Sequence, residues 1–305
     1  MTLQELQNPP ASPLQRLHDE RWEERGVALW VKRDDLLAPA PNDPLCGNKW
    51  RKLQANLLQA QEEGFEQLLT FGGAFSNHLA AVASAGRHFG FETIGIVRGE
   101  PVNNPTLAKA QADGMKLHFV DRTTYRNKTA PNFLQSLYKE YGPAYVLPEG
   151  GTNTTAFTGC ANLAKETLTQ SPALPTHIAV ACGTGGTATG LIGGLNGAST
   201  LLGVSVLKGN FMQKTIQTLL TELPPSPTVW EVNENYHHGG YARRSKSLDE
   251  FIQSFYQKHE IVLEPIYTAK LFFALYDLLE KGYFPKNSKV VAIHTGGLQA
   301  YACSV

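Results

Sequence analysis

Short apolar, β-branched runs alternate with helical patterns along nearly the whole chain. This alternation restricts the fold more than any other feature of the sequence. Ala28–Lys32, Leu68–Phe71, Thr93–Val97, Lys116–Val120, Ala144–Leu147, His177–Ala181, Leu201–Leu207 and Lys289–His294 read as strands. Helical patterns fill the gaps: Trp50–Gly64, Asn77–Phe89, Thr106–Asp113, Asn132–Tyr141, Ala156–Thr169, a small-residue helix from Thr187, Gln213–Leu220, Asp249–Lys258 and Ala269–Lys281. A strand that feeds a helix and then another strand builds a parallel sheet with helices on its faces. The predicted class is therefore α/β with mostly parallel sheets. At 305 residues the chain has room for about two domains, taking roughly 150 residues for each. Ligands of such sheets sit beyond the carboxyl ends of the strands, so the loops that follow the strands are where function is sought.

Several classes are excluded on simpler grounds. Twenty-seven basic residues balance twenty-seven acidic ones, so the chain has no built-in field for a phosphate backbone, and nucleic acid is not an expected partner. No apolar run approaches the roughly 18 residues of a membrane span, and Met1–Pro13 lacks a charged-then-apolar leader pattern. Cys46, Cys160, Cys182 and Cys303 are scattered, with no C-x-x-C pair. Neither a disulfide framework nor a zinc site is expected, no metal is called for, and a reducing cytoplasm fits best.

Three loops carry candidate chemistry. The first is Cys46-Gly47-Asn48-Lys49-Trp50-Arg51-Lys52, a turn that opens a helix. Cations are disfavoured at a helix N-terminus, so three in four positions suggest either an anion or covalent partner for Lys49, or a solvated basic face. The second is Gly72-Gly73-Ala74-Phe75-Ser76-Asn77-His78, between a strand and an Ala-rich helix. Ser76 or Asn77 suits a helix cap, and the same position offers Ser76, Asn77 and His78 to a ligand. The third follows the buried strand His177–Ala181 and reads Cys182-Gly183-Thr184-Gly185-Gly186-Thr187-Ala188-Thr189-Gly190. Glycines let backbone N–H groups wrap an anion, and threonine hydroxyls add donors, so this loop is the strongest phosphate-binding signal in the chain.

The same loop matches the dinucleotide pattern G-x-G-x-x-A, which raises a nicotinamide-dependent oxidoreductase. That pattern wants an acidic residue about 20 positions on to hold the ribose. No Asp or Glu occurs between Glu166 and Glu222, and no Gly-Lys pair supports a P-loop. A late group holds Tyr236, Tyr241, Tyr267-Thr268 and His294-Thr295-Gly296-Gly297. A tyrosine there serves the core or rim, or acts as an acid or base if its environment tunes it. One phosphate site, one lysine and no ribose reader together suggest pyridoxal phosphate, which needs an amine, a phosphate cradle and a partner for its ring nitrogen.

At this point a family resemblance is visible. The sequence resembles the 1-aminocyclopropane-1-carboxylate deaminase / D-cysteine desulfhydrase family of fold type II, tryptophan synthase β-like pyridoxal enzymes. The likeness runs from about Ser12-Pro13-Leu14 to Ala300. It is carried by Val31-Lys32-Arg33-Asp34-Asp35, Gly47-Asn48-Lys49 with Arg51-Lys52-Leu53, Ser76-Asn77-His78, Pro148-Glu149-Gly150-Gly151, the glycine loop, Pro265-Ile266-Tyr267-Thr268 and His294-Thr295-Gly296-Gly297.

The resemblance implies two three-layer αβα domains: a large cofactor-binding one from residues 1–49 and 156–305, and a small one inserted as residues 50–155. It also implies a homodimer. Lys49 would hold the cofactor as a Schiff base, Asn77 its ring hydroxyl oxygen, and Gly183, Thr184, Gly185, Gly186 and Thr187 its phosphate. Ser76, with Asn77 and His78, would meet the substrate carboxylate, and Ser76 would share in proton transfer. Tyr241 and Tyr267 would flank the cofactor and the leaving group, and Thr268 would face the ring nitrogen.

The deaminase branch is similar at this last position but carries Glu, which can keep the ring nitrogen protonated. Tyr267-Thr268 looks like the desulfhydrase branch, so the implied reaction is elimination from D-cysteine to pyruvate, sulfide and ammonia. Deamination of 1-aminocyclopropane-1-carboxylate to 2-oxobutanoate and ammonia is the alternative, and a non-catalytic binding protein is a third. Lyase and hydrolase are the class labels that follow. Departures from the family pattern are Cys46 in place of Gly, Trp50 in place of Thr, and Ala242-Arg243-Arg244 after Tyr241. Trp50 is expected to reshape the pocket beside Lys49. The two arginines are expected either to favour an acidic substrate or to be solvated.

Overall fold

The computed structural model describes residues 10–298. Cys303 and the extreme ends of the expected larger domain lie outside the described residues.

The first strand, β1 (Leu14–Leu17), is followed by a short helix α1 (Glu20–Glu24) and β2 (Ala28–Lys32). Then come α2 (Gly47–Glu62), β3 (Gln67–Gly73), α3 (Asn77–Phe89), β4 (Glu92–Arg98), α4 (Pro105–Ala112) and β5 (Lys116–Val120). Two helices, α5 (Arg122–Arg126) and α6 (Pro131–Tyr141), lead to β6 (Tyr145–Leu147). The second half alternates α7 (Thr154–Gln170), β7 (His177–Cys182), α8 (Gly186–Leu195), β8 (Thr200–Ser205), α9 (Met212–Leu220) and β9 (Trp230–Asn233). It ends with α10 (Lys246–His259), α11 (Thr268–Glu280) and β10 (Lys289–Ile293).

These strands form two sheets. The larger has the order β1-β2-β10-β7-β8-β9, and the smaller β5-β4-β3-β6. Every pairing is parallel except that of β1 with β2. Successive side chains of a strand point to opposite faces. In the larger sheet Ala179, Leu202, Val204 and Val290 therefore pack against α10 and α11, while Ile178, Val180, Leu201 and Val291 pack against α7, α8 and α9. In the smaller sheet Leu68 and Val97 face α2, α3 and α4, whereas Leu69, Phe71, Ile94 and Ile96 face α5 and α6. Each sheet is thus the middle of three layers, and the predicted α/β architecture is the observed one.

Where helices begin earlier than the sequence pattern suggests, a cap sets the start. Ser245 accepts the Leu248 N–H, so α10 begins at Lys246 rather than Asp249. Asn153 accepts the Ala156 N–H in the same way at α7. The edge strands β1 and β9 are short and half-buried, and their alternation is too weak to read from sequence. No helix among the described residues is long and apolar enough to cross a membrane.

Candidate active site

The carboxyl ends of β3, β4, β7 and β10 converge on a cavity of about 300 Å³. Its wall includes Lys49, Lys52, Ser76, Asn77, His78, Arg98, Glu149, the loop Gly183–Thr187, Tyr241, Tyr267 and Thr295–Gly297. All three candidate loops therefore meet at one place.

Helix α2 starts against the end of β10. Gly47 adopts a left-handed φ of 56°, and a Cβ there would stand 2.2 Å from the Thr295 carbonyl oxygen. Only glycine lets the two segments approach this closely. The next residue seals the contact, since Asn48 donates its N–H to the Thr295 carbonyl at 3.2 Å. The three cations that follow separate because successive helical residues turn by about 100°. Arg51 is buried and pairs with Asp34 at 2.9 Å and Glu166 at 2.8 Å, and Lys32 joins Glu166 at 2.5 Å. This network ties α2 to β2 and α7 behind the cavity. Lys49 and Lys52, three apart, share the cavity face.

Burial, with the neighbouring Lys52 charge acting in the same direction, lowers the Lys49 amine to about 7. No carboxylate among the described residues pairs with it. The residues thus leave an amine that is substantially neutral, and hence nucleophilic, near neutral pH. Trp50 does not reshape the cavity as expected. It packs with Leu53, Leu57, Leu79 and Val97 in the core of the smaller sheet, because the helical turn rotates it away from Lys49.

Ser76 caps α3 by accepting the Leu79 N–H at 3.3 Å, and it lines the cavity as well. The two readings of this residue hold together. His78 lies in the first turn of α3, buried, with its ring against Gly151. Burial, Lys49 and Lys52 drive its imidazole well below its ordinary value, so the ring is neutral. Asn77 is backed by Gly297, where a Cβ would stand 2.5 Å from Asn77 Nδ2.

The glycine loop leaves β7 and passes through Gly185, whose φ of 81° is left-handed, into α8. A Cβ on Gly186 would meet Thr152 Oγ1 at 2.7 Å and Lys52 Nζ at 2.9 Å. Lys52 Nζ itself donates to the Gly150 carbonyl at 2.9 Å and to Thr152 Oγ1 at 3.1 Å. Thr187 Oγ1 accepts from Asn48 Nδ2 at 3.2 Å, and Thr184 bonds Thr152 at 2.6 Å. The first N–H groups of α8 have no partner within the helix. Together with Lys52 they make a compact anion site. Lys52 was not singled out from the sequence, although its i+3 spacing from Lys49 is the signal that would have found it.

Tyr267 lies against the loop, since a Cβ on Gly183 would meet its Cε1 at 2.9 Å. Tyr241 stands edge-on to Tyr267, with centroids 6.1 Å apart, and its hydroxyl donates to the Phe75 carbonyl at 3.0 Å. Burial raises both phenols above their ordinary range, so both stay protonated at neutral pH. The strap that carries Tyr241 is held by buried Lys270, whose Nζ donates to the carbonyls of His237 at 2.9 Å and Gly240 at 2.8 Å.

Some expected residues lie elsewhere. Thr268 is fully buried and outside the cavity wall, and its Oγ1 accepts the Glu264 N–H at 3.0 Å. It opens α11, and the first turn of that helix turns its hydroxyl onto the preceding backbone. Glu264, also buried, accepts the N–H groups of Ile266, Tyr267 and Thr268. Tyr236 points to Asp277 at 2.5 Å, and His294 bonds the Val262 carbonyl at 2.8 Å behind the wall. Arg243 and Arg244 are exposed and line no part of the cavity, and Arg244 pairs with Asp249 at 2.7 Å. Among the described residues no group of three His, Cys, Asp or Glu side chains is placed to hold a metal.

A nucleophilic lysine beside a glycine-built anion site invites comparison with known families. Residues 5–296 match the family model described as pyridoxal-phosphate dependent enzyme. The chain belongs to this family. A Pyrococcus abyssi protein with the provisional name 1-aminocyclopropane-1-carboxylate deaminase is 30% identical over 293 residues, covering 90% of this chain and 86% of its own. The bifunctional D-cysteine desulfhydrase/1-aminocyclopropane-1-carboxylate deaminase of Arabidopsis thaliana mitochondria is 29% identical over 299 residues, covering 90% of this chain and 73% of its own. The crystal structure of an ACC deaminase homologue superposes with a TM-score of 0.83 at 28% identity, covering 96% of this chain and 91% of that one.

The resemblance read from the motifs is therefore the right one, the fold is that of the type II pyridoxal enzymes, and the nicotinamide reading falls. Pyridoxal phosphate is the cofactor of this family and of this chain. The residues fit it. Lys49 offers an amine for its aldehyde, and the Gly183–Thr187 loop with Lys52 offers a cradle for its phosphate that a Cβ at Gly186 would fill. The family supports lyase as the class label and gives no support to hydrolase.

Proposed function

We propose that this chain is a lyase that eliminates the β-substituent of a D-amino acid, with D-cysteine giving pyruvate, sulfide and ammonia. The observation that carries this reading is the acid content of the cavity wall. Among the described residues its one carboxylate is Glu149, already paired with Lys128 at 3.3 Å. Glu264 is committed to the first turn of α11. Neither stands ready to keep a pyridine nitrogen protonated, which is what opening an unactivated cyclopropane demands. Elimination of a thiol, which leaves readily, needs less.

In this reading Lys49 binds the cofactor aldehyde, Lys52 and Gly183–Thr187 its phosphate, and Asn77 its ring hydroxyl. When bound, pyridoxal phosphate supplies the electron sink that acidifies the substrate Cα–H. Ser76, Asn77 and His78 receive the substrate carboxylate at the first turn of α3, where the helix dipole favours an anion. Lys49 Nζ takes the Cα proton. Tyr267, protonated, would act as a donor to the departing sulfur rather than as a base, with Tyr241, whose hydroxyl holds the Phe75 carbonyl, standing edge-on to its ring. Residues 1–49 and 156–305 form the cofactor-bearing unit, residues 50–155 the inserted one, and the working form is a cytoplasmic homodimer.

The test is direct. Purified protein loaded with pyridoxal phosphate is given D-cysteine, and pyruvate and sulfide are followed together. Equal release of both, lost in Lys49→Ala, is the expected result. A loaded protein that ignores D-cysteine but forms 2-oxobutanoate from 1-aminocyclopropane-1-carboxylate would overturn the choice of substrate.

A further inference from the structure

After the cofactor duties are assigned, one cation among the described residues of the cavity wall has no task. Arg98 ends β4, exposed at the rim. Among the described residues no carboxylate pairs with it. Its guanidinium carbon lies 5.6 Å from the Tyr125 ring centroid, so a cation–π contact supports it from one side. In the parallel register Arg98 stands opposite Gly73. Gly73 has no side chain to intervene, and Arg98 Nη2 lies 3.6 Å from where its Cβ would be. The guanidinium therefore hangs over the turn that leads to Ser76. The other charges nearby are accounted for, because Glu149 is neutralised by Lys128.

We infer that Arg98 is a specificity-determining residue, and that the preferred substrates carry a second anionic group, a carboxylate first, on the side chain. This rests on the amino-acid site proposed above. The substrate's own carboxylate is served by Ser76, Asn77 and the N-terminus of α3. Arg98 comes from the neighbouring strand and brings its Nη2 over Gly73, three residues before Ser76, so it flanks that carboxylate site. A second carboxylate on a short substrate side chain would meet it there. A guanidinium matches a carboxylate with two parallel N–H donors, which a neutral side chain cannot use. Such a substrate reacts by the same balance as D-cysteine. The Cα proton leaves, the Cβ–substituent bond breaks with its electron pair on the substituent, and water releases the 2-oxo acid and ammonium. Arg98 takes the place of Arg243 and Arg244 as the basis for an acidic substrate preference.

The experiment measures binding, so it does not depend on turnover. Protein loaded with pyridoxal phosphate is titrated with D-aspartate and with D-alanine, neither of which has a thiol to eliminate, and the dissociation constants are compared through the shift of the visible band. The expected ratio favours D-aspartate by about tenfold, the low end for a charged hydrogen-bonded pair because the arginine is exposed. It shrinks in 0.5 M salt. Arg98→Met brings the ratio close to one, and Arg98→Lys, which keeps the charge but not the fork, retains part of it. Equal binding of the two ligands by the unaltered protein overturns the inference. So does a ratio that survives Arg98→Met, which would place Arg98 on the common carboxylate or nowhere near the ligand. A protein that discriminates as expected yet releases no pyruvate from D-cysteine would sink the lyase reading and leave the anion subsite standing.

Discussion

Lys49 offers the sharpest test of how the fold prepares this site. Its amine sits near 7, against 10.5 for an ordinary lysine, chiefly because it is desolvated and secondarily because Lys52 shares its helix face. At pH 7 an ordinary lysine is neutral in roughly one molecule in 3,000, whereas Lys49 is neutral in about half. Only the neutral amine attacks an aldehyde. Covalent capture of pyridoxal phosphate by the apo-protein should therefore run about a thousandfold faster at pH 7 than an unperturbed lysine allows. The perturbation is pH, scanned from 5.5 to 9.5 by stopped-flow at the cofactor's visible band. A simple amine is run in parallel to subtract the cofactor's own titration. Below the break the rate should climb about tenfold per pH unit, and above roughly pH 8 it should level off. Lys52→Met, compared at saturating cofactor, should move the break upward by removing the like charge. Borohydride trapping and peptide mapping identify the lysine. A rate that keeps climbing tenfold per unit to pH 9.5 refutes the argument, because the amine would then be ordinary.

The same shift makes a statement about stability. With a folded value of about 7 and an unfolded one near 10.5, the unfolded chain holds more protons between those pH values, so this group makes apo-protein stability rise with pH across that window. Lys49→Met should remove that slope and stabilise the apo-protein at pH 6 by about 1–3 kcal/mol, discounted for partial exposure. Denaturant melts at pH 6 and 9 check it, and an unchanged slope counts against it. Gly186→Ala places a methyl against Thr152 and Lys52 Nζ, so cofactor retention should fall tenfold or more while the fold persists. Equilibrium dialysis of pyridoxal phosphate measures this, and unaltered affinity would mean that the phosphate lies elsewhere. Lys270→Met leaves the His237 and Gly240 carbonyls without their donor, at about 1–3 kcal/mol each. Amide exchange at residues 237–243 should then speed up before the rest of the chain loosens, and uniform exchange would deny Lys270 its hold on the Tyr241 strap.

The motifs could be read in the sequence because each is local. A glycine loop needs only a strand before it and a helix after it, and the run from His177 to Gly190 contains all three. Ser76 as a cap, and the alternation that sets the layers, are likewise visible within a dozen residues. Direction was harder to read. Trp50 is adjacent to Lys49 in sequence yet lies in a different core, because one helical step separates a wall from an interior. Thr268 is adjacent to Tyr267, but the first turn of α11 sends one side chain to the cavity and the other to the backbone of Glu264.

The sequence by itself therefore determined the layered α/β class, the family and the identity of the anion loop, since periodicity and short motifs depend on neighbours along the chain. Only the tertiary structure decided which charges share a cavity. Lys52 reaches the glycine loop 134 residues later, Arg51 turns instead into an ion network with Asp34 and Glu166, and Arg98 comes over the Ser76 turn through the pairing of β3 with β4. Those outcomes depend on how sheets and helices stack, and desolvation, which tunes Lys49, exists only once they have done so.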